Sequence, residues 1–170
     1  SPKAVIDYQG AQGWLIGEQS KGMSAMFTMM NNARLGVAIE GVSQAEISFQ
    51  LALEYAKNRK QGSTLVKDGN GNIIEHADVR RSLIVMKSLT FVSRAICLDT
   101  AISADLSEKG EEKTFSARAA FLTPIAKAFC TNMGCRISDL GIQVHGGLGY
   151  IESSGAAQLY RDARITAIYE

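Results

Sequence analysis

Proline is nearly missing from this 170-residue chain, which has only Pro2 and Pro124. With so few helix breakers and many Ala, Leu, Glu and Lys, the composition points to an all-helical domain. No charge of one sign is in excess: 18 basic residues stand against 17 acidic ones, a net charge of +1. That balance gives no electrostatic footprint for nucleic acid or an anionic membrane surface. Apolar runs are short and none approaches the roughly 20 residues that span a bilayer. The opening SPKAVID is neither a signal peptide nor an arginine-rich transit segment. Cysteine is scarce and odd in number, at Cys97, Cys130 and Cys135. Without a CxxC pair or a Cys/His cluster, no metal site is expected. The three residues read as buried, reduced thiols of a reducing compartment. An initiator methionine is also lacking and the chain stops on Glu170, so the expectation is a piece of a longer protein.

What is present is ordinary globular material, 46% hydrophobic and 21% charged, long enough for one domain with a sizeable core. Residues 1–20 differ from the rest. Ala4-Val5-Ile6 and Trp14-Leu15-Ile16-Gly17 are short apolar pieces split by Gly10 and Gly13, which reads as strand and loop. From about Gly22 to Arg59, Met26, Met29 or Met30, Ala33, Val37, Val42, Ala45, Phe49, Ala52 and Ala56 recur at helical spacing. The small residues Ala33, Gly36, Ala38 and Gly41 would let a neighbouring helix come close. Lys57, Arg59 and Lys60 complement the dipole at the helix end.

Asp68-Gly69-Asn70-Gly71-Asn72 is the clearest turn in the chain. A second helix is expected from about Asp78, taken as its N-cap, toward Leu106, with Val79, Leu83, Met86, Leu89, Val92 and Ile96 inward. The charged run Lys109–Lys113 is a solvated connection. A third helix begins near Thr114. Pro124 within it implies a kink, or a restart with Thr123 as cap. A last short helix covers Ala156–Tyr169. The architecture is an all-α, antiparallel four-helix bundle over residues 21–170, behind a short N-terminal strand and loop remnant.

The C-terminal stretch carries the functional signal. An isolated GGxG such as Gly146, Gly147 and Gly149 is the common way to end a helix, and a dinucleotide fingerprint would need a strand before it. The combination says more. Gln143, the three glycines, Tyr150, Arg161-Asp162-Ala163 and Ile168-Tyr169-Glu170 come in one order. That order resembles the C-terminal signature of the acyl-CoA dehydrogenase family, flavoenzymes that desaturate acyl-CoA thioesters. The resemblance covers essentially the whole chain and is most specific in its final third.

The resemblance implies a C-terminal helical bundle domain preceded, over residues 1–20, by the tail of a β-rich domain. Desaturation needs a base for the α-proton, a hydride acceptor and stabilisation of charge on the thioester carbonyl. Side chains do not accept hydride, so a cofactor is obligatory, and in this family it is FAD. Glu170 matches the base, and its backbone N–H matches the donor to the thioester carbonyl. A minority of the family carries its base at the position of Ala33, which cannot act as one. Asn31 and Arg34 match the contacts to the CoA portion of the substrate. Arg59 matches an arginine that reaches the FAD pyrophosphate of a neighbouring subunit, a task that suits guanidinium. Gln143, Gly146 and Gly147 match the segment that holds the adenosine end of a partner subunit's FAD. Arg161 and Asp162 read as structural, fixing the turn before Glu170, and His145 as a packed or capping histidine.

The expected partners are an acyl-CoA substrate, electron-transfer flavoprotein and further copies of the chain in a dimer or tetramer. The location implied is cytoplasmic in a bacterium or the mitochondrial matrix in a eukaryote. Departures from the family pattern fall at Gly62, at Glu75-His76-Ala77-Asp78, and at Ser153 and Gln158. They point to a branch similar to the larger bacterial enzymes that include methylmercaptopropionyl-CoA dehydrogenases. The alternatives are an acyl-CoA oxidase, a nitroalkane oxidase or a DNA-damage-associated flavoprotein on the same fold, or a non-catalytic oligomerisation module. Without the other domains, the isolated chain is expected to bind FAD poorly and to be inactive.

Overall fold

The computed structural model describes residues 4–110 and 113–169. Among these residues there are five α-helices and no strand. They are α1 (Gly22–Asn58), α2 (Ala77–Glu108), α3 (Lys113–His145), the single turn α4 (Gly147–Tyr150) and α5 (Ala156–Thr166). Residues 4–20 are exposed and form neither helix nor strand, so the short strand pieces expected there do not form. An isolated strand has no ladder to satisfy its backbone groups.

α1 and α3 run parallel and form the main contact of the bundle, while α2 and α5 run antiparallel to them. Three pairs fix the first direction. Gly41 faces Gly134, the Ser48 and Ser138 hydroxyls meet at 3.0 Å, and Tyr55 stacks on His145 with centroids 4.5 Å apart. The Glu46–Arg94 ion pair at 2.6 Å and the Cys97–Cys130 thiols at 3.5 Å place α2 in the opposite sense.

Small residues set how closely the helices approach. Ala38, Ala45, Ala52 and Ala56 are fully buried along α1. A Cβ on Gly41 would stand 2.6 Å from the Cys130 carbonyl oxygen, and one on Gly134 would stand 2.8 Å from that of Gly41. The close approach anticipated for this stripe is real at Ala38 and Gly41, whereas Gly36 faces open space. One core cluster gathers Ile73, Leu83, Met86, Ile137 and Val144 against the alanines of α1. A smaller one joins Ala38, Val42, Cys97, Ala126 and Cys130.

Several sequence expectations shift. The inward stripe of α1 begins only at Val37: none of residues 22–36 is buried, and Met29 is 58% exposed. On α2 the inward face passes from Leu83 and Met86 to Thr90, Ser93, Cys97, Thr100 and Ser103, and Val92 turns outward. Thr90, Thr100 and Ser103 donate back to the carbonyls of Met86, Ile96 and Asp99 at 2.7–2.8 Å. Their hydroxyls are thereby satisfied within the helix, and a small polar face can be buried where large side chains would hold the helices apart.

His76, rather than Asp78, is the N-cap position of α2; Asp78 lies in the first turn and pairs with Arg81 at 2.8 Å. Pro124 causes no restart, because α3 is continuous across it. Thr123 is no cap, since its hydroxyl donates to the Ala119 carbonyl at 2.7 Å. α5 ends at Thr166, three residues before the expected end.

The link between α1 and α2 is built around one carboxylate. Glu75 accepts from the Thr64 hydroxyl at 2.7 Å and from the Asn70 and Gly71 amides at 2.8 and 3.2 Å. The Thr64 hydrogen bond, ahead of the backbone ones, holds its carboxyl below the ordinary value. Asp68 and Gly71, both at positive φ, provide the sharp reversals of the expected turn.

Candidate active site

The residues singled out from the sequence gather at two ends of the bundle. Asn31 and Arg34 sit on the unburied first half of α1, where an Arg34 Nη1–H donates to Asn31 Oδ1 at 3.4 Å. They line one wall of a cavity of ≈ 350 Å³ closed by the end of α2 and the first turns of α3 as far as Pro124. A cationic guanidinium beside an amide in an open groove suits a phosphate-bearing ligand, and α1 supplies the rigid support.

Arg59, Gln143, Gly146 and Gly147 stand at the opposite end. Arg59 follows the last turn of α1, where its N–H bonds to the Tyr55 carbonyl at 2.9 Å and its carbonyl accepts from the Ile73 amide at 2.8 Å. Its guanidinium is exposed and has no ion pair among the described residues. Gln143 is exposed, and its carbonyl accepts from the Gly146 amide at 3.1 Å. Gly146 has φ 60° and ψ −141°, a backbone conformation that favours glycine, and both Gly146 and Gly147 would place a Cβ in open space. The stacked Tyr55–His145 pair joins the two ends of α1 and α3 here, so Arg59 and the glycine turn share one end of the bundle. His145 is a packed residue as expected, with Nδ1 2.7 Å from the Gly141 carbonyl.

The two groups are 25 residues apart on α1 from Arg34 to Arg59, which at 1.5 Å per residue is about 38 Å along the axis. One extended dinucleotide does not bridge that span. Within one chain the two groups are therefore parts of different sites. For a flavin nucleotide, an exposed guanidinium and an uncrowded glycine turn at the same end of the bundle are compatible with a pyrophosphate and a flat ring.

Glu170 lies outside the described residues, but its neighbour is well tethered. The Tyr169 hydroxyl donates to Glu40 Oε2 on α1 at 3.1 Å. Lys127 Nζ on α3 donates to the Tyr169 carbonyl and lies 5.7 Å from the centre of its ring. Glu40 is six residues past Arg34, about 9 Å along α1. The last segment of the chain thus docks against α1 and α3, in a groove lined by Ile39, Glu40, Ser43 and Gln44 of α1. At 3.6 residues per turn Glu40 stands about 120° around the helix from Arg34, so the docked segment and the Arg34 cavity lie on different faces of α1. Arg161 does not pair with Asp162. It forms a two-pronged ion pair with Glu152 at 2.9 and 2.7 Å, and so fixes the loop before α5.

Lys127 is the residue that sequence reasoning missed. It sits in Ile125-Ala126-Lys127-Ala128-Phe129, and a lysine flanked by alanines on an otherwise apolar stripe was the available signal.

The comparisons bear on the fold and the family. The family model described as "Acyl-CoA dehydrogenase, C-terminal domain" matches residues 20–170. The chain belongs to the acyl-CoA dehydrogenase family. It is 45% identical over its full length to a 3-methylmercaptopropionyl-CoA dehydrogenase of Ruegeria pomeroyi, covering 30% of that protein. It is 36% identical over 93% of its length to a butyryl-CoA dehydrogenase of Syntrophomonas wolfei, covering 28% of it. The structure of butyryl-CoA dehydrogenase from Megasphaera elsdenii superposes with a TM-score of 0.73 at 27% identity, over 90% of this chain and 36% of that one. The chain therefore spans about a third of the length of these relatives, and its fold is that of the family's helical domain. No helix among the described residues is long and apolar enough to cross a membrane.

Proposed function

We propose that this chain is the C-terminal helical domain, residues 21–170, of an FAD-dependent acyl-CoA dehydrogenase, entered through residues 1–20 from a preceding domain. Glu170 removes the α-proton of the acyl-CoA. Its backbone N–H donates to the thioester carbonyl as charge develops there. Asn31 and Arg34 hold the CoA portion. Arg59 binds the FAD pyrophosphate of a neighbouring subunit, and Gln143, Gly146 and Gly147 receive the adenosine end. FAD, when bound, supplies the acceptor for the β-hydride, and electrons leave to electron-transfer flavoprotein. The 45% identity over the full chain to a 3-methylmercaptopropionyl-CoA dehydrogenase supports a short thioester chain as the first substrate class to test.

The single observation that carries this reading is the match of the family's C-terminal domain over residues 20–170, which takes in Arg34, Arg59, the glycine turn and Glu170. Assembly into a homo-oligomer is supported by the outer face of α2. Ile84, Phe91 and Leu98, seven residues apart, and Ile102 are 57–69% exposed while the inner face is small and polar. A heptad row of that kind seeks another helix.

The test uses the full-length protein that contains this chain. Short acyl-CoA thioesters should bleach the flavin absorbance. Glu170→Gln should keep the flavin and lower kcat by roughly 10²–10⁴-fold, the scale of a lost general base. Arg34→Ala should act mainly on KM. A Glu170→Gln enzyme with unchanged turnover would sink the assignment of the base.

A further inference from the structure

Two of the three cysteines face each other. Cys97 on α2 and Cys130 on α3 stand with their sulfurs 3.5 Å apart, as free thiols, in the smaller core cluster. They are 33 residues apart in the chain, so the meeting is made by the packing of α2 on α3 and not by a local turn. Cys135, further along α3, donates instead to the Ala163 carbonyl at 3.4 Å. A buried thiol often serves as a small apolar group and nothing more. Three observations set this pair apart from such filling.

Cys97 is not sealed in. It lines a cavity of ≈ 520 Å³ between α1 and α2, together with Ile39, Val42, Glu46 and Arg94, whereas Cys130 behind it is fully buried. A solute as small as a peroxide therefore meets one sulfur before the other. The second observation is at Ser93, one turn before Cys97. Its carbonyl accepts from Cys130 Sγ at 3.4 Å, while its hydroxyl is fully buried and has no hydrogen-bond partner among the described residues. On the same face the hydroxyls of Thr90, Thr100 and Ser103 all bond back to their helix. An unmet hydroxyl beside two thiols is a ready partner for a new polar atom on sulfur. Third, the thiols are unequal. The hydrogen bond from Cys130 holds the Cys97 thiol below its ordinary value, against the burial that raises it. The same bond, and then burial, push Cys130 well above. Cys97 is the readier thiolate, and the thiolate is the reactive form.

We propose that Cys97 and Cys130 form a redox-active dithiol, which a hydroperoxide oxidises to a disulfide that staples α2 to α3. The Cys97 thiolate attacks the O–O bond of hydrogen peroxide. An S–O bond forms, the O–O bond breaks, and the departing hydroxide leaves as water with the proton that the thiol gave up. Cys97 is then a sulfenic acid, whose oxygen the Ser93 hydroxyl is able to hydrogen-bond. The Cys130 sulfur next attacks the Cys97 sulfur. The S–S bond forms, the S–O bond breaks, and a second water carries off the Cys130 proton. The two thiols lose two electrons and two hydrogens, and one peroxide becomes two waters. To close from 3.5 Å to the roughly 2.05 Å of a disulfide, each sulfur moves by only about 0.7 Å. None of this depends on the base or the substrate proposed above.

The experiment treats the full-length protein that contains this chain with hydrogen peroxide, blocks free thiols under denaturing conditions, and maps the tryptic peptides by mass. Wild type is compared with Cys97→Ala, Cys130→Ala and Cys135→Ala. Cys97 falls in residues 95–109, and Cys130 shares residues 128–136 with Cys135, so fragmentation and the Cys135→Ala variant assign the linkage. Wild type and Cys135→Ala should both give these two peptides joined, lighter by two hydrogens than their sum, and dithiothreitol should separate them. The link should form on the order of tenfold faster than Cys135 is oxidised. In Cys130→Ala, Cys97 lacks its resolving thiol and should be captured as sulfenic acid by dimedone. In Cys97→Ala, Cys130 should take up none.

Oxidation of Cys135 ahead of the pair would overturn the proposal, as would a pair still free after peroxide or joined to some other cysteine. Dimedone on Cys130 in Cys97→Ala, with none on Cys97 in Cys130→Ala, would overturn the order of attack. The wild-type map alone decides whether the disulfide forms, should an alanine variant fail to fold.

Discussion

The two halves of α1 are built from similar residues and meet opposite fates. From Val37 to Ala56 the helix buries Val37, Ala38, Gly41, Val42, Ala45, Ser48, Ala52 and Ala56 against α2 and α3. From Gly22 to Gly36 it buries nothing, although Met26, Met29, Met30 and Ala33 continue the same spacing. The half that is closed holds the bundle together. The half that is open carries Asn31 and Arg34, while Tyr169 docks on Glu40, just inside the closed half. An amphipathic helix longer than its own bundle presents a preformed face, and in this chain that face coincides with the candidate substrate end.

The largest effect that should break the symmetry between the halves is a cavity in the closed one. Ile137 is fully buried opposite α1 and belongs to the main core cluster. Ile137→Ala should cost about 2–5 kcal/mol, the range for large-to-small core truncation. Met29→Ala, in the open half at 58% exposure, should stay within about 0.5 kcal/mol. Urea denaturation of the chain checks both. Equal costs at the two sites would mean that the open half is packed in solution.

A finer contrast uses two glycines five residues apart on the same helix. The added Cβ of Gly41→Ala would meet backbone atoms of Cys130 and Thr131 at 2.6–3.0 Å, which cannot move without separating α1 from α3. It should destabilise by about 1–3 kcal/mol, as overpacking does. Gly36→Ala adds a methyl group to open space and should stabilise by about 0.5–1 kcal/mol through helix propensity alone. Opposite signs in thermal melts support the division at Val37; two losses of equal size would erase it.

That division was only partly legible in the sequence. Helical periodicity gives the existence and order of the long helices, because their apolar positions repeat at 3–4 residues over many turns. It says nothing about how far a stripe is covered by the same chain, so Met26 to Ala33 read as core when Met26, Met30 and Ala33 are only partly covered and Met29 is exposed. α2 shows the converse. Its period was visible, but Thr90, Ser93, Thr100 and Ser103 carry the buried face and Phe91 and Leu98 the exposed one. Hydrophobicity alone cannot reveal that small polar residues win where two helix backbones come close. Order along the chain was enough to single out Gln143, the glycines and Arg34 as candidates, since such motifs are local. The Lys127–Tyr169 contact joins residues 42 apart and depends on α5 folding back along α3, which no local pattern encodes.

The smallest expected effect concerns how the closed half is finished at its C-terminal end, a clasp the open half lacks. Asn72 Nδ2 donates to the Lys57 carbonyl at 2.6 Å and the Ile73 amide to that of Arg59 at 2.8 Å, so the link folds back over the end of α1. The Glu75 carboxylate organises that link, and a Cβ on Gly69 would run into it. Because its carboxyl is held below the ordinary 4.5, chiefly by Thr64, the charged form is the one that binds the Asn70 and Gly71 amides. The contribution is fully present above that ordinary value, and it is lost as the pH falls through the lower folded-state value. The amide proton shifts of Asn70 and Gly71 should therefore titrate together, with a midpoint below 4.5, while amides of residues 22–36 stay unchanged over the same range. Glu75→Gln should remove the titration and loosen the link at neutral pH. Its effect on global stability should be smaller than that of either core change, because the carboxylate is exposed to solvent and acts on a loop. If the variant kept the same acid midpoint at those amides, some other group would be organising the turn and the clasp would not depend on Glu75.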